Sequence, residues 1–574
     1  MKSKKIGILI GCLVLFLTVY LIYNNFQKDD VIVDKTISDI DTSINTDDGD
    51  LEIDWSKYFE NNISKSTTIT NPGIYNLQGN IEGSIIVKTT GNVKLVLDNV
   101  SIKSSDGPAI LIEEAENTLI YLNEGTKNYL EDSKNYQVDD LDINSVIYSK
   151  DDLIFDGNGS LEINANYQDG IVSKDDLKII NGNFLINSVD DGIRGKDSIY
   201  ILNGNFNINS KGDSLKSTND TDSEKGFILI ENGTFNFESE LDGIQAETKL
   251  VIQNGNFSIK TGGGSSNSSL KDSWGSWGRH PMESIETTDS ESAKGLKAGD
   301  NLVIENGTFK LDTSDDSIHS NNYFGLKNGN ISILSGDDGI HADTEIIIDS
   351  GSIIIEQSYE GIESNKITIN NGDIKVISTD DGINVSGGVD SSGMNRPGEN
   401  HFTESNDNIL VINSGSIYVN SVGDGIDVNG SAYMYGGEVL VDGPTNSGNG
   451  PLDYDQEFVI DGGTLIAVGS SGMLQSVSSN KQYNVVISLT NSYSEEIILK
   501  DTNNQEIINY TPKKTYSSVI ISSPKLKKGE TYKLQIGEED IETFTIESYS
   551  TTIGSKNNSM PGNQPNQSGK GGRR

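Results

Sequence analysis

The stretch "LKNGNISILSGDDGIHAD", from Leu326 to Asp343, contains both turns of a unit that recurs along most of the chain. An Asn-Gly turn at Gly329 precedes alternating apolar residues, which predict a strand, and an Asp-Gly-Ile turn follows at Gly339. The period is about 22 residues. Turns of the first kind recur at Gly182, Gly204, Gly233, Gly255, Gly307, Gly351, Gly372, Gly415, Gly437 and Gly463, and turns of the second kind at Gly192, Ser214, Gly243, Ser317, Gly361, Gly382 and Gly425.

A repeat of this length without a helix cannot bury its apolar face alone, so it must stack on its neighbours. Leucine-rich repeats have a similar length but need a Leu/Asn consensus that is absent here. The repeat therefore predicts an all-β fold, a single-stranded parallel β-helix. Each repeat would form one coil, and equivalent positions would stack at about 4.8 Å.

The composition of the chain excludes several classes of function. The chain has 574 residues, a formal net charge of -42 and 34% hydrophobic residues. Such a charge repels nucleic acid and attracts cations. The single cysteine, Cys12, excludes an internal disulfide framework and a Cys-based zinc site. No nucleotide-binding loop or catalytic triad is apparent, so most enzyme classes have no support in the sequence.

The chain ends differ in composition from the repeats. Lys2, Lys4 and Lys5 precede an apolar run, which predicts a helix anchored in the cell membrane with an extracytoplasmic body. The alternative is a lipoprotein signal cleaved before Cys12. The predicted organisation is a membrane anchor over 1–26, an acidic stalk over 27–50, the β-helix over 51–480, a strand-rich cap or small β domain over 481–553, and a disordered tail over 554–574.

Carboxylates occupy the same position of successive Asp-Gly-Ile turns. Unit charges about 4.8 Å apart repel by roughly 3 to 4 kcal/mol at an effective dielectric of 20, and a cation would reverse that sign. Oxygen-rich clusters suit Ca²⁺. The sequence therefore predicts several Ca²⁺ ions, whose candidate ligands are Asp190, Asp191, Asp213, Asp242, Asp315, Asp316, Asp337, Asp338, Asp343, Glu360, Glu363, Asp380, Asp381, Asp424 and Asp427. The alternative is turn chemistry, in which Asp caps its own backbone before a left-handed Gly.

Four ring-bearing residues are candidates for sugar contact. His319 and His341 occupy equivalent positions in adjacent repeats and should stack on each other. They predict contact with sugar or metal, or else a plain surface ladder. Trp274 and Trp277 lie in a Gly- and Ser-rich excursion and could stack on sugar rings. Packing of that loop against the coil is the alternative for both tryptophans.

The ordered motifs "TNPGIYNLQGNIEGSIIV", "LNEGTKNYLEDSKNY", "SAKGLKA", "DDSIHS", "GDDGIHAD" and "SYEGIES" resemble a bacterial family of secreted carbohydrate-binding β-helix proteins that are related in shape to pectate lyases. The resemblance extends from about Thr67 to Gly537. It implies a right-handed helix, bound calcium, and affinity for plant-wall or acidic polysaccharides, pectin- or cellulose-like.

These features predict a monomeric, non-catalytic, calcium-dependent polysaccharide-binding protein of the cell surface. One alternative is a calcium-dependent, pectate-like lyase with Lys294 or Lys297 as the base. Neighbouring carboxylates raise the pKa of a lysine, which disfavours that role and favours a structural ion pair. The other alternative is a structural adhesin that binds no saccharide.

Overall fold

The computed structural model describes residues 35–44, 53–137, 140, 142–268, 292–386 and 408–554. Within these ranges the chain contains strands, turns and three 3-10 helices but no α-helix. The 3-10 helices are Ile37–Asp39, Trp55–Lys57 and Ser265–Asn267. The predicted all-β class, with long sheets of parallel strands, is confirmed.

Most strands fall into three rows, and each repeat contributes one strand to each row. Each strand pairs in parallel with its equivalent in the next repeat. Row one carries the Asp-Gly-Ile turns at its strand starts and comprises Thr67–Ile69, Ile85–Lys88, Ile110–Glu114, Ser145–Ser149, Asp169–Ser173, Ile193–Gly195, Leu215–Ser217, Ile244–Ala246, Leu296–Ala298, Ile318–Ser320, Ile340–Ala342, Ile362–Ser364, Ile383–Val385, Ile426–Val428 and Leu452–Tyr454.

Rows two and three belong to one large sheet. Row two comprises Glu60–Ile63, Gly73–Glu82, Val93–Lys103, Thr118–Leu122, Leu153–Gly157, Asp176–Ile179, Ser198–Ile201, Phe227–Ile230, Leu250–Ile252, Leu302–Ile304, Tyr323–Leu326, Glu345–Ile348, Lys366–Ile369, Ile409–Ile412, Ser431–Met434 and Glu457–Ile460. Row three comprises Lys127–Glu131, Ser160–Ala165, Asn183–Ser188, Asn205–Ser210, Thr234–Ser239, Asn256–Thr261, Thr308–Thr313, Asn330–Ser335, Ser352–Gln357, Asp373–Ser378, Ser416–Ser421, Glu438–Asp442 and Thr464–Gly469. The long strands Gly73–Glu82 and Val93–Lys103 extend into row three.

The last strands are mostly antiparallel. Tyr516–Ser522 lies between Thr464–Gly469 and Asn484–Tyr493, and Ser550–Ile553 pairs with Asn484–Tyr493 in parallel. A separate four-stranded sheet contains Ile497–Asp501, Glu506–Tyr510, Thr531–Ile536 and Glu539–Thr545. This part of the chain has its own apolar cluster.

The apolar core runs the length of the stack, because inward positions repeat in register. The Phe206 and Phe235 rings stack with centroids 5.0 Å apart, and the next step, to Phe257, is 4.5 Å. The Gly of the Asp-Gly-Ile turn is also explained by stacking. A Cβ at Gly339 would lie 2.6 Å from the carbonyl oxygen of Gly361, so glycine at this position lets these two coils approach this closely.

Residues 35–44, within the predicted stalk, lie along the outer side of row two. Ile37 and Ile40 pack against Val303 and Ile347. Asp41 accepts a bond of 2.9 Å from Lys249 Nζ. We call this segment the strap, since it contacts several successive coils.

The predicted location at the cell membrane, held by an N-terminal helix, is corrected here. Among the residues that the structure describes, no helix is long and apolar enough to cross a membrane. The predicted anchor over 1–26 and the lipoprotein box at Cys12 lie outside the described residues.

Candidate functional site

The carboxylates that precede the Asp-Gly-Ile turns form one column, and each is bonded to the next coil. The backbone N–H of Asp213 donates to Oδ1 of Asp191 at 2.9 Å, and that of Asp242 donates to Oδ1 of Asp213 at 2.7 Å. The same contact joins Asp191 to Asp169, Lys294 to Asp242, Asp338 to Asp316, Glu360 to Asp338, and Asp424 to Asp381. We call this series the carboxylate column.

This bond explains why the aspartates recur, and it differs from the turn chemistry considered above. The side chain caps the backbone of the following coil rather than its own. A buried N–H without an acceptor costs about 1 to 3 kcal/mol, so each Asp has a stabilising role before any ligand is considered. The recurrence of acidic residues before the Gly-Ile step, about 22 residues apart where no longer loop intervenes, was the sequence signal for this role.

A second column runs beside the first, along the middle positions of the row-one strands. Its members pair in register from coil to coil. We call it the neighbour column, and its members are Arg194, Lys216, Gln245, Lys297, His319, His341, Glu363, Asn384, Asp427 and Asp453. It is therefore basic at one end, contains histidine in the middle, and is acidic at the other end.

At the basic end, the neighbour column neutralises the carboxylate column. Arg194 Nη2 lies 2.6 Å from Asp169 Oδ2, and Lys216 Nζ lies 2.6 Å from Asp213 Oδ2. Lys297 Nζ lies 3.2 Å from Asp242 Oδ2. The second oxygen of each carboxylate thus faces a side-chain cation, in the place where a metal ion would have to lie.

Lys294 extends this neutralisation from within the carboxylate column. Its Nζ lies 2.7 Å from Asp316 Oδ2 and 2.9 Å from Asp315 Oδ1, and its side chain is 6% exposed. Burial alone would lower the pKa of Lys294, but the charges of Asp316 and Asp315 outweigh it and hold that pKa well above its ordinary value. Lys294 is therefore a structural cation.

The two histidines stack as predicted, but they are buried. Their ring centroids are 4.9 Å apart and the rings are almost parallel. His319 Nδ1 lies 2.9 Å from Asp316 Oδ2. His341, whose side chain has no exposed surface, has Nδ1 2.9 Å from Glu363 Oε2 and Nε2 3.0 Å from Asp343 Oδ1. Both rings have polar partners within the protein, and neither offers a face to a sugar.

At the acidic end, no basic side chain among the described residues replaces these partners. One carboxylate oxygen from each of Asp381, Asp424 and Asp427 lies within 4.8 Å of the others. No lysine or arginine within the described ranges forms an ion pair with this group. Burial, followed by the neighbouring carboxylates, raises the pKa of Asp381 to about 9, that of Asp427 to about 7 and that of Asp424 to about 6.

Asn384 adds a neutral oxygen beside this group. It is 6% exposed and lies opposite Asp427 in the neighbour column. Its Nδ2 donates to Glu360 Oε2 at 2.6 Å and contacts Glu363 Oε1 at 3.4 Å, while its Oδ1 has no hydrogen-bond partner. A buried acceptor without a donor is costly, and a cation could satisfy it. The acidic end therefore fits an oxygen-coordinated divalent cation, whereas the basic end does not.

The remaining predicted ligands lie around these columns. Asp190, Asp315, Asp337 and Asp380 are half-buried and precede the column residues by one position. Two further groups, Asp169 with Asp190 and Asp191, and Asp315 with Asp316 and Asp337, also bring carboxylate oxygens within 4.8 Å. Each of them includes a carboxylate already paired with Arg194 or Lys294. Trp274 and Trp277 lie outside the described residues.

Asn384 and Asp453 were not among the predicted site residues. Both occupy the neighbour column, so an alignment of the repeats on the Gly-Ile step would have placed them beside Glu363 and Asp427. The sequence did not indicate that the Asn384 amide oxygen would be buried without a donor.

Part of the chain is similar to proteins that are described as carbohydrate-binding. A model of the family described as carbohydrate-binding domain-containing protein matches residues 64–339. A protein of Acetivibrio thermocellus with the same description is 37% identical over 130 residues, which are 22% of this chain and 46% of that protein. The match thus spans less than half of that relative.

A polysaccharide lyase-like protein from C. thermocellum, whose structure was solved as a gadolinium derivative, is 33% identical. The match covers 35% of this chain and 84% of that one, with a TM-score of 0.34. The family match ends at residue 339, so Asp381, Asp424 and Asp427 lie beyond it.

Proposed function

We propose that the protein is a non-catalytic, calcium-dependent polysaccharide-binding protein built as a right-handed, single-stranded parallel β-helix. Its ligands would be plant-wall or acidic polysaccharides, bound by a monomer. The family match over residues 64–339 supports the saccharide class. The three rows of parallel strands support the helix.

The observation that carries the calcium dependence is the acidic end of the two columns. Asp381, Asp424, Asp427 and the Asn384 oxygen offer four oxygen-bearing side chains without a basic partner among the described residues. Ca²⁺ prefers oxygen ligands and tolerates irregular geometry. When bound, the ion would neutralise this group and leave coordination positions for ligand oxygens.

The negative charge of the chain explains why binding of an acidic polysaccharide would require calcium. A chain with a net charge of -42 repels a polymer of uronate groups. Bound cations are often the largest local charges of a site and reverse its electrostatics. The half-buried carboxylates of the acidic end would then become a place where uronate carboxylates are attracted.

The lyase alternative receives no support from the two candidate bases. Lys294 is held as a cation by Asp315 and Asp316. Lys297 Nζ lies 3.2 Å from Asp242 Oδ2 and 3.2 Å from Ser292 Oγ. A general base must be neutral and must reach the proton that it removes. We therefore expect no unsaturated product when the protein is incubated with pectate and calcium.

Thermal unfolding of the full chain tests this function. Samples with calcium or with chelator would each be measured alone, with polygalacturonate and with cellulose oligomers. A melting temperature that rises with calcium, and rises again with one saccharide only in its presence, supports the proposal and identifies the ligand class. If calcium produces no rise, or if saccharide acts equally in chelator, the calcium-dependent function is wrong.

A further inference from the structure

A second ligand group, separate from Asp381, Asp424 and Asp427, lies where the neighbour column changes from basic to acidic. One oxygen each of Asp338 and Glu363 and a ring nitrogen of His341 lie within 4.8 Å of one another. Nδ1 of His341 is 2.9 Å from Glu363 Oε2 and 3.6 Å from Asp338 Oδ2. The group therefore combines nitrogen with oxygen.

The fold fixes all three side chains. Asp338 and His341 bracket one Asp-Gly-Ile turn, and Glu363 lies opposite His341 in the next coil. Oδ1 of Asp338 accepts a bond from the backbone N–H of Glu360 at 3.1 Å, which leaves Oδ2 for another partner. The His341 side chain is fully buried, and those of Asp338 and Glu363 are 10% and 16% exposed.

Asp343 orients the imidazole from its far side. Its Oδ1 lies 3.0 Å from His341 Nε2, so it can hold the proton on that nitrogen, while a metal ion would replace the Nδ1 proton that now faces Glu363 at 2.9 Å. Metal-bound histidines commonly donate their other ring N–H to a carboxylate in this way. No lysine or arginine of the described chain forms an ion pair with Asp338 or Glu363.

We propose that Asp338 Oδ2, His341 Nδ1 and Glu363 Oε2 form a site for a divalent transition metal such as Zn²⁺ or Mn²⁺. Imidazole nitrogen suits these ions, whereas calcium selects oxygen. The site is additional to the calcium group of the proposed function and does not depend on it.

The preceding coil provides a matched contrast. His319 stacks on His341, but its partner Asp316 is already paired with Lys294 Nζ at 2.7 Å. The equivalent arrangement one coil earlier is therefore filled by a side-chain cation. His319→Gln should leave metal binding unchanged if the assignment to His341 is correct.

Isothermal titration of the full, untagged chain with ZnCl₂ tests the site. Excess CaCl₂ would be present so that oxygen-only sites are occupied, and MnCl₂ would be titrated in parallel. We expect one Zn²⁺ per chain, at least a tenfold loss of affinity in His341→Gln and in Glu363→Gln, and a smaller loss in Asp343→Asn. His319→Gln should change the affinity by less than about twofold, as expected for a residue without a ligand role.

Thermal unfolding in calcium would confirm that each variant folds. If His341→Gln does not fold, Glu363→Gln tests the same site. No zinc binding in the presence of calcium, or equal zinc binding by His341→Gln, would overturn the site. In that case His341 acts only as a buried cation between carboxylates. The calcium-induced rise in melting temperature should persist in His341→Gln, so failure of this site and failure of the proposed function are distinguishable.

Discussion

The backbone N–H of Asp213 donates to Oδ1 of Asp191 across one step of the stack, at 2.9 Å. This single contact, repeated along the carboxylate column, assigns one oxygen of each Asp to the fold. The second oxygen is free to take a different partner in each coil. It faces Arg194 or Lys216 near one end and has no basic partner near Asp381 among the described residues. Under the proposed function, one motif therefore serves a structural role in the first coils and a ligand-binding role in later ones.

Asp213→Ala should lower the free energy of unfolding by about 3 kcal/mol. It removes the acceptor of the Asp242 N–H and the carboxylate that faces Lys216, whose side chain is 26% exposed. Asp213→Asn keeps an acceptor oxygen and should cost less. Chemical denaturation at neutral pH measures both. Asp220→Ala, at an exposed position, should stay within about 0.5 kcal/mol of the parent. Equal costs for Asp213→Ala and Asp220→Ala would show that the column does not bind the coils together.

Asp381→Asn should reduce the calcium-induced rise in melting temperature without destabilising the metal-free protein. The Asn oxygen can still accept the Asp424 N–H, while the variant removes a carboxylate that its neighbours Asp424 and Asp427 repel. The measurement is thermal unfolding in chelator and in calcium. Asp213→Asn is the matched control, because Lys216 already neutralises that carboxylate and its calcium response should be unchanged. A full calcium response in Asp381→Asn would remove this residue from the site.

Without metal, stability should fall as the pH rises from about 5 to about 9. Aspartates of the unfolded chain ionise near pH 4, whereas the folded pKa values are raised to about 6, 7 and 9 at Asp424, Asp427 and Asp381. In this window the folded state holds more protons than the unfolded state, so each unit of pH costs stability. Denaturation in chelator at several pH values measures the slope. Asp381→Asn should flatten it above pH 7, and saturating calcium should remove the part of the slope that these three carboxylates contribute, because the bound ion keeps them ionised in the folded state. A slope that is identical in Asp381→Asn would contradict the shift.

Gly325→Val should displace the strap. A Cβ at Gly325 would lie 2.7 Å from both Ile37 Cγ1 and Ile40 Cδ1, and such overpacking costs about 1 to 3 kcal/mol. In a chain that lacks residues 1–44, the same substitution should be neutral or stabilising, because valine favours strands over glycine. Melting temperatures of the four proteins complete the cycle. An equal loss in both backgrounds would mean that Gly325 is required by the coil itself and not by the strap.

The sequence by itself determined the all-β class, the 22-residue period and the alignment of acidic residues in one column. Local patterns suffice to predict these three features. Alternating apolar residues and turn residues recur in every repeat, and a repeat that cannot bury its own apolar face must stack on its neighbours. The stacking of His319 on His341 followed from the same register.

Only the tertiary structure decided what each carboxylate does. Asp213 Oδ1 accepts a bond from Asp242 in the next coil, and Asp242 pairs with Lys297, so these contacts join residues tens of positions apart. The Asn384 oxygen is buried without a donor. Strap contacts such as Lys249 with Asp41 join residues still further apart in the chain. Distances and burial at these contacts arise from the packing of whole coils, which no local pattern encodes. They distinguish the aspartates that pair with basic side chains from those of the proposed calcium site.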